Sequence, residues 1–176
     1  MRPLARTLLT LCVLLSIAGV GAQTSPVETP LVLTITMHGR AGRLHVALRN
    51  RSTAPVHVFL GSADKKHQSL DNISLLFVDA GGKTIPIVPV GYAMNGNERV
   101  LNEVIAPGQE WNADIELTRF MVYDDPVNPA PVDHLPAGSY TVYGIYKGET
   151  YPPEPGDLPY WVGTIRSAPV QYVVTK

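Results

Sequence analysis

Residues 135–146 read LPAGSYTVYGIY. Pro136 and Gly138 punctuate the entry, and from Tyr140 onward polarity alternates, so Tyr140, Val142 and Tyr146 share one face of an extended strand. The order Leu135, Gly138, Tyr140 is that of a tyrosine corner. In that device a buried ring packs beneath a connection between two sheets, and its hydroxyl satisfies a backbone group a few residues upstream. A strand entered in this way belongs to two packed antiparallel sheets.

The same texture extends in both directions. The 16 prolines and 15 glycines fall in small clusters, and between them lie short runs rich in Val, Ile, Leu, Thr and Tyr. Leu31, Leu33, Ile35 and Met37 alternate with Val32, Thr34, Thr36 and His38, and Leu44, Val46 and Leu48 repeat the pattern. The string NRSTAP turns the chain into Val56, Val58 and Leu60, with Pro55 at the strand start, where no ladder bond is lost. A strand at 73–79 reverses through Ala80-Gly81-Gly82-Lys83 into 84–88. Pro107-Gly108 joins a short strand at 103–105 to Trp111, Ala113, Ile115 and Leu117. From Tyr123 to Pro136 there is no periodicity, which reads as a long surface loop. A Pro-rich loop at 148–159 leads to strands at 161–166 and 170–175. No helical apolar period follows residue 22, so the expectation is an all-β sandwich of about eight strands.

The first 22 residues stand apart. Arg2 and Arg6 precede an apolar stretch from Leu8 to Val20 that ends in Gly21-Ala22, the tripartite layout of a signal peptide cut after Ala22. The stretch is shorter than the roughly 18 residues needed to cross a bilayer. The expected organisation is a signal peptide at 1–22, a flexible segment at 23–30 and one sandwich domain at 31–176, exported to the periplasm or the medium, with no membrane span after cleavage. The sole cysteine, Cys12, leaves with the leader, which removes disulfides and thiolate chemistry from the mature chain. Cleavage leaves roughly 150 residues, enough for one sizeable core held by packing alone. It also takes two of 14 basic residues and none of 15 acidic ones, moving the net charge below the −1 of the whole chain and away from nucleic acid as a partner. Arg40, Arg43, Arg49 and Arg51 read as outer-face residues of a strand and its turns.

Four strings carry a resemblance: LRNRSTAPVHVFLG (48–61), IAPGQEWNADIEL (105–117), LPAGSYTVYGIY (135–146) and WVGTIRSAPVQYVV (161–174). They resemble the immunoglobulin-like domains of bacterial exported proteins, where an Asn-Ser turn precedes a Pro-Val strand and a Pro-Gly entry precedes the tyrosine-bearing strand. The layout is also similar to the β-domain of some secreted metallopeptidases and, more loosely, to the bacterial proteinase inhibitor (BsuPI-like) family. It departs from the first in lacking an HExxH helix and from the second, an intracellular family, in its export signal. The resemblance implies an immunoglobulin-like sandwich and leaves the activity open.

No GxSxG, Walker or dinucleotide-binding glycine pattern is present, and none of His38, His45, His57, His67 and His134 sits in a recognisable nucleophile context. Neither an enzyme nor a cofactor is expected. Asp124, Asp125, Asp133 and His134 bracket one loop and form a weak metal candidate, against the ordinary use of Asp in turns. Copper through Met37-His38, Met94 and Met121 is weaker. Asn50-Arg51-Ser52 and Asn72-Ile73-Ser74 match the glycosylation acceptor pattern. Trp111 and Tyr140 are read as structural rings.

The strongest binding candidate is the set Tyr143, Tyr151, Tyr160 and Trp161 around the prolines of 148–160. Tyrosine and tryptophan supply rigid contact area at low entropic cost. The competing arrangement folds these rings back to cap the core. Two functional expectations follow: a non-catalytic binding or assembly module recognising a protein or an envelope polymer, and, alternatively, a proteinase inhibitor presenting the Pro/Tyr-rich loop.

Overall fold

Alternating apolar residues along short β-prone runs can be buried only by pairing the strands and packing one sheet on another, and this is what the computed structural model contains. It describes residues 29–38, 42–63, 68–90, 99–123, 129–150 and 158–175. The leader at 1–22, and residues 23–28 of the expected flexible segment, lie outside them; Thr29 and Pro30 are tied down, with Arg51 N–H donating to Pro30 O at 2.7 Å.

The chain forms β1 (Leu31–His38), β2 (Arg43–Asn50), β3 (Val56–Ala63), β4 (Gln68–Ser69), β5 (Ile73–Val78), β6 (Thr84–Pro89) and β7 (Arg99–Ile105). There follow β8 (Glu110–Glu116), β9 (Phe120–Val122), β10 (Ala130–Pro131), β11 (Gly138–Gly148), β12 (Gly163–Arg166) and β13 (Val170–Val174). Every ladder among them is antiparallel. Sheet I has the order β1-β2-β8, and sheet II runs β10-β9-β6-β5-β11, with β12 and β13 sharing the far side of β11. The all-β sandwich is therefore present, with several very short strands added to those read from the sequence. Among the described residues no helix is long and apolar enough to cross a membrane.

The core lies between the sheets. Leu33, Ile35, Val46 and Leu48 from sheet I face Phe77, Ile87, Val142 and Tyr146 from sheet II. The layers approach closely where β1 crosses β11: a Cβ on Gly144 would stand 2.5 Å from Ile35 Cγ2, so only glycine fits there. Ser167 interrupts the strand beside it, its Oγ accepting from Gly144 N–H at 2.9 Å and its own N–H donating to Gly144 O at 2.9 Å. That local exchange is why β12 and β13 are two strands along one partner.

Two turns follow from their residues. Asp79 Oδ1 accepts from Gly81 N–H at 2.8 Å and Lys83 N–H at 2.9 Å, while Gly82 takes φ 82°. Gly108 takes φ 74° after Pro107, and Gln109 N–H returns to Ala106 O at 3.0 Å, the pattern of a type II turn. Pro86 sits inside sheet II without breaking it: its carbonyl accepts from Tyr123 N–H at the β9 end, so its missing N–H falls where that ladder stops.

The largest departure from the sequence reading is the ribbon made by β2-β3 and β7-β8. Arg49 pairs with Glu110, and across a corner at 51–55 Val56 pairs with Ile105, so one antiparallel ladder continues from sheet I around the bend. Beyond the bend His57 makes a single parallel bridge with Tyr160, bringing the ribbon to the margin of sheet II. β7 begins at Arg99, earlier than the expected 103, because β3 supplies a partner along its whole length. The expected surface loop from Tyr123 to Pro136 is also corrected in part. Val132 and Leu135 enter the core, and Pro131 lies in β10, an edge strand that tolerates proline.

Asn50 holds the corner. Fully buried, it donates from Nδ2 to Ala54 O and Ile105 O, each at 2.8 Å, and accepts at Oδ1 from Ser52 N–H and Ser52 Oγ, each at 2.8 Å. Its backbone binds Gln109 O and Gly108 N–H across the ladder. No buried side-chain nitrogen or oxygen among the described residues lacks a partner. Asn50→Ala should strand two carbonyls and an amide at the bend and lower unfolding free energy by roughly 2–4 kcal/mol in urea titrations, with the urea dependence otherwise two-state.

Candidate functional site

Of the four aromatic residues expected to form one surface, the three described ones, Tyr143, Tyr160 and Trp161, do not share a face. Alternation along β11 sends Tyr140, Val142, Gly144 and Tyr146 inward, and Tyr143 with Ile145 outward. Tyr143 is half-buried on the outer face of sheet II, with the Arg166 guanidinium carbon 3.5 Å from its ring centroid. Tyr160 is 9% exposed and sits at the inner margin. Tyr151 lies outside the described residues.

Tyr160 belongs to a clasp built from distant segments. Its ring stacks on His57 at 4.0 Å between centroids, and its hydroxyl accepts from Asn102 Nδ2 at 2.9 Å. His57, 4% exposed, approaches Leu158 O at 2.7 Å through Nδ1, which must carry the proton because a carbonyl only accepts. Trp161 N–H donates to His57 O at 2.7 Å. The Trp161 ring stacks on Tyr146 at 5.9 Å and lies so close over Gly148 and Gly163 that neither could carry a Cβ without collision. The end of the Pro-rich connection is thus pinned to β3, and its two described aromatic rings pack on the protein. The alternation of β3 in sequence marks His57 as an outward residue; nothing local signals Tyr160 as its partner.

Tyr140 is 4% exposed and its hydroxyl donates to Pro136 O at 2.8 Å, the bond that defines a tyrosine corner. Trp111 is half-buried beside Leu48 at the edge of the core. Tyr146 donates its hydroxyl to Phe59 O at 2.8 Å, tying β11 to the ribbon, and burial pushes its ionisation well above the ordinary tyrosine value of about 10.

The two outer faces differ sharply in chemistry. On sheet I, Arg43 lies opposite Glu116, His45 opposite Asp114 and Arg49 opposite Glu110; His45 Nδ1 and Asp114 Oδ1 are 2.8 Å apart. On sheet II the outward positions include Leu76, Val78, Val88, Met121, Tyr143 and Ile145, all half-buried and none packed on the core, flanked by Ser74, Thr84, Thr141, Lys147 and Arg166. Registers set them side by side: Tyr143 opposite Leu76, Leu76 opposite Pro86, and Val88 opposite Met121. Tyr123 and Val173 extend this face at 44% and 59% exposure. This row of outward apolar residues is the feature that most resembles a docking face.

Other candidates do not converge. Asp133 and His134 are exposed neighbours 4.0 Å apart, and Asp124 and Asp125 lie outside the described residues. No group of three or more His, Cys, Asp or Glu residues among the described ones could hold a metal. Met37 packs against the core while Met121 faces out from sheet II, so the copper set is split; Met94, like Arg40, lies outside the described residues. Asn50 Nδ2 is committed as above, and buried Asn72 Nδ2 donates to Lys147 O at 2.6 Å, so a glycan on either nitrogen is incompatible with these bonds. A cleft of about 790 Å³ between Met37, Leu117, Val132 and Tyr172 opens at one end of the sandwich and contains no convergent catalytic set. No family model matches the chain, and no curated protein matches it.

Two outcomes follow. Tyr160→Ala should cost about 3–5 kcal/mol by loss of a buried ring, against under ~1 kcal/mol for Tyr143→Ala, read by thermal or urea unfolding. Because the Tyr146 ionisation is raised in the folded state, the unfolded chain releases its proton first. Stability should fall as pH rises past about 10, by up to ~1.4 kcal/mol per unit, and Tyr146→Phe should remove that component while forfeiting its hydrogen bond at neutral pH.

Proposed function

We propose that this chain is a non-catalytic binding or assembly module of the cell envelope or secreted space, related to exported immunoglobulin-like domains. The observation that supports this reading is the row of apolar residues on the outer face of sheet II, set against the charged outer face of sheet I. A sandwich needs only its inner faces to fold, so half-buried Leu76, Val88, Met121, Tyr143 and Ile145 are not needed to fill the core. The leader read at 1–22 supplies the address, and the partner is a protein or an envelope polymer rather than nucleic acid.

A second reading, a proteinase inhibitor acting through the Pro/Tyr-rich connection, is favoured by the anchoring of that connection at both ends: β11 on one side and the Leu158–His57 contact on the other. Fixed ends of this kind lower the ordering cost of binding through the segment that joins them.

The double variant Leu76→Lys/Ile145→Lys tests the first reading. Its melting temperature should stay within a few degrees of the parent, since both positions lie off the core. Partners crosslinked by the parent in its native host should be absent from the variant. Recovery of the same partners by both would remove sheet II as the binding face. Slowing of a secreted protease at micromolar protein would instead favour the inhibitor.

A further inference from the structure

Among the described residues sheet I ends at β8, and the ladder geometry tells which of its backbone groups turn away from β2. Leu117 N–H donates to Gly42 O at 2.7 Å, and Gln109 O accepts from Asn50 N–H at 3.0 Å. In an antiparallel pair these groups alternate, so Gln109, Trp111, Ala113, Ile115 and Leu117 turn their N–H and C=O toward β2. Glu110, Asn112, Asp114 and Glu116 turn theirs away. Among the described residues β8 pairs with β2 alone, so these four present an open row of donors and acceptors.

The same four residues project their side chains onto the outer face, and three of them are acids. The inward residues Ala113 and Ile115 border a groove of about 240 Å³ whose far wall is Ser69, Leu70, Pro89, Val90, Arg119 and Phe120, with Asp114 and Glu116 on the near side. Its end is closed by Val90 N–H donating to Arg119 O at 2.8 Å. The edge therefore offers backbone pairing, a partly apolar recess on one side and a line of carboxylates on the other.

We infer that the free edge of β8 accepts an extended segment that alternates apolar and basic residues, adding a fourth strand to sheet I. Apolar side chains of that segment fall opposite Trp111, Ala113 and Ile115 and enter the recess. Its basic side chains fall opposite Glu110, Asp114 and Glu116, which then lie between that strand and the row Arg43, His45 and Arg49 of β2. Charge also selects against a second copy of this chain, since pairing β8 with itself sets acid against acid. The inference does not rest on the proposed role of sheet II and stands if that face binds nothing.

The probe is the heptapeptide Lys-Val-Lys-Val-Thr-Val-Lys, with Glu-Val-Glu-Val-Thr-Val-Glu and a non-alternating scramble of the first as controls, titrated into the purified protein by calorimetry. The basic alternating peptide should bind at least about tenfold more tightly than either control, with affinity falling as salt rises. Asn112→Pro removes an N–H that points away from β2 and places a ring in the path of the added strand; it should keep the melting transition and weaken binding about tenfold or more. Glu110→Gln/Glu116→Gln should weaken it several-fold and flatten the salt dependence. In the unmodified protein the peptide should protect the amides of Asn112, Asp114 and Glu116 from hydrogen exchange. The inference is overturned if the three peptides bind alike, if none binds and the acids merely guard the edge, if Asn112→Pro folds and binds as the parent does, or if those amides stay unprotected.

Discussion

A strand that belongs to one sheet and then serves the margin of another must break its ladder somewhere, and the broken place leaves backbone groups facing the core. Asn50 answers that constraint. A carboxamide has two donors and an oxygen with two lone pairs, and at this corner all are used within 2.8 Å contacts to Ala54, Ile105 and Ser52. Aspartate has no amide donors, and an aliphatic residue offers nothing to the two carbonyls. The ribbon's direction after the bend, and with it the meeting of His57 with Tyr160, depends on these bonds.

Close approach between layers is the second condition. Gly144 lets β1 settle on β11, and Gly148 with Gly163 makes room for the Trp161 ring. Aromatic rings fill the core elsewhere: Phe77 meets both Tyr140 and Tyr172, at 5.7 and 5.8 Å between centroids. With no cysteine among the described residues, this packing carries the work that cross-links do in disulfide-rich domains.

Much of this was legible in local patterns. Strands β1, β2, β5 and β8 show their alternation in sequence, the Asp79 and Pro107-Gly108 turns show their residues, and the spacing before Tyr140 marks its corner. What failed was long-range. Residues 143, 160 and 161 are near one another along the chain or close to the same loop, yet pleat alternation and the pull of His57 send them to different faces. Asn50 read as a possible glycan acceptor because the Asn-x-Ser pattern that marks such sites is also the pattern of a side chain bonding its own turn. The contrast between the outer faces becomes visible only once register places β2 beside β8 and β5 beside β11.

The bent ribbon also orders events in time. Its bonds join residues far apart along the chain, 55 positions from Asn50 to Ile105 and 69 from His45 to Asp114, whereas β1-β2 and β5-β6 are neighbours in sequence. Local pairs close quickly and distant ones wait. A chain made amino end first has the β1-β2 hairpin complete while the far side of β2 stays open until Glu116 has emerged. During that interval the apolar inner row of Leu44, Val46 and Leu48 is uncovered beside an unpaired edge, and the speed with which β8 arrives decides whether it meets its own partner or another molecule's strand.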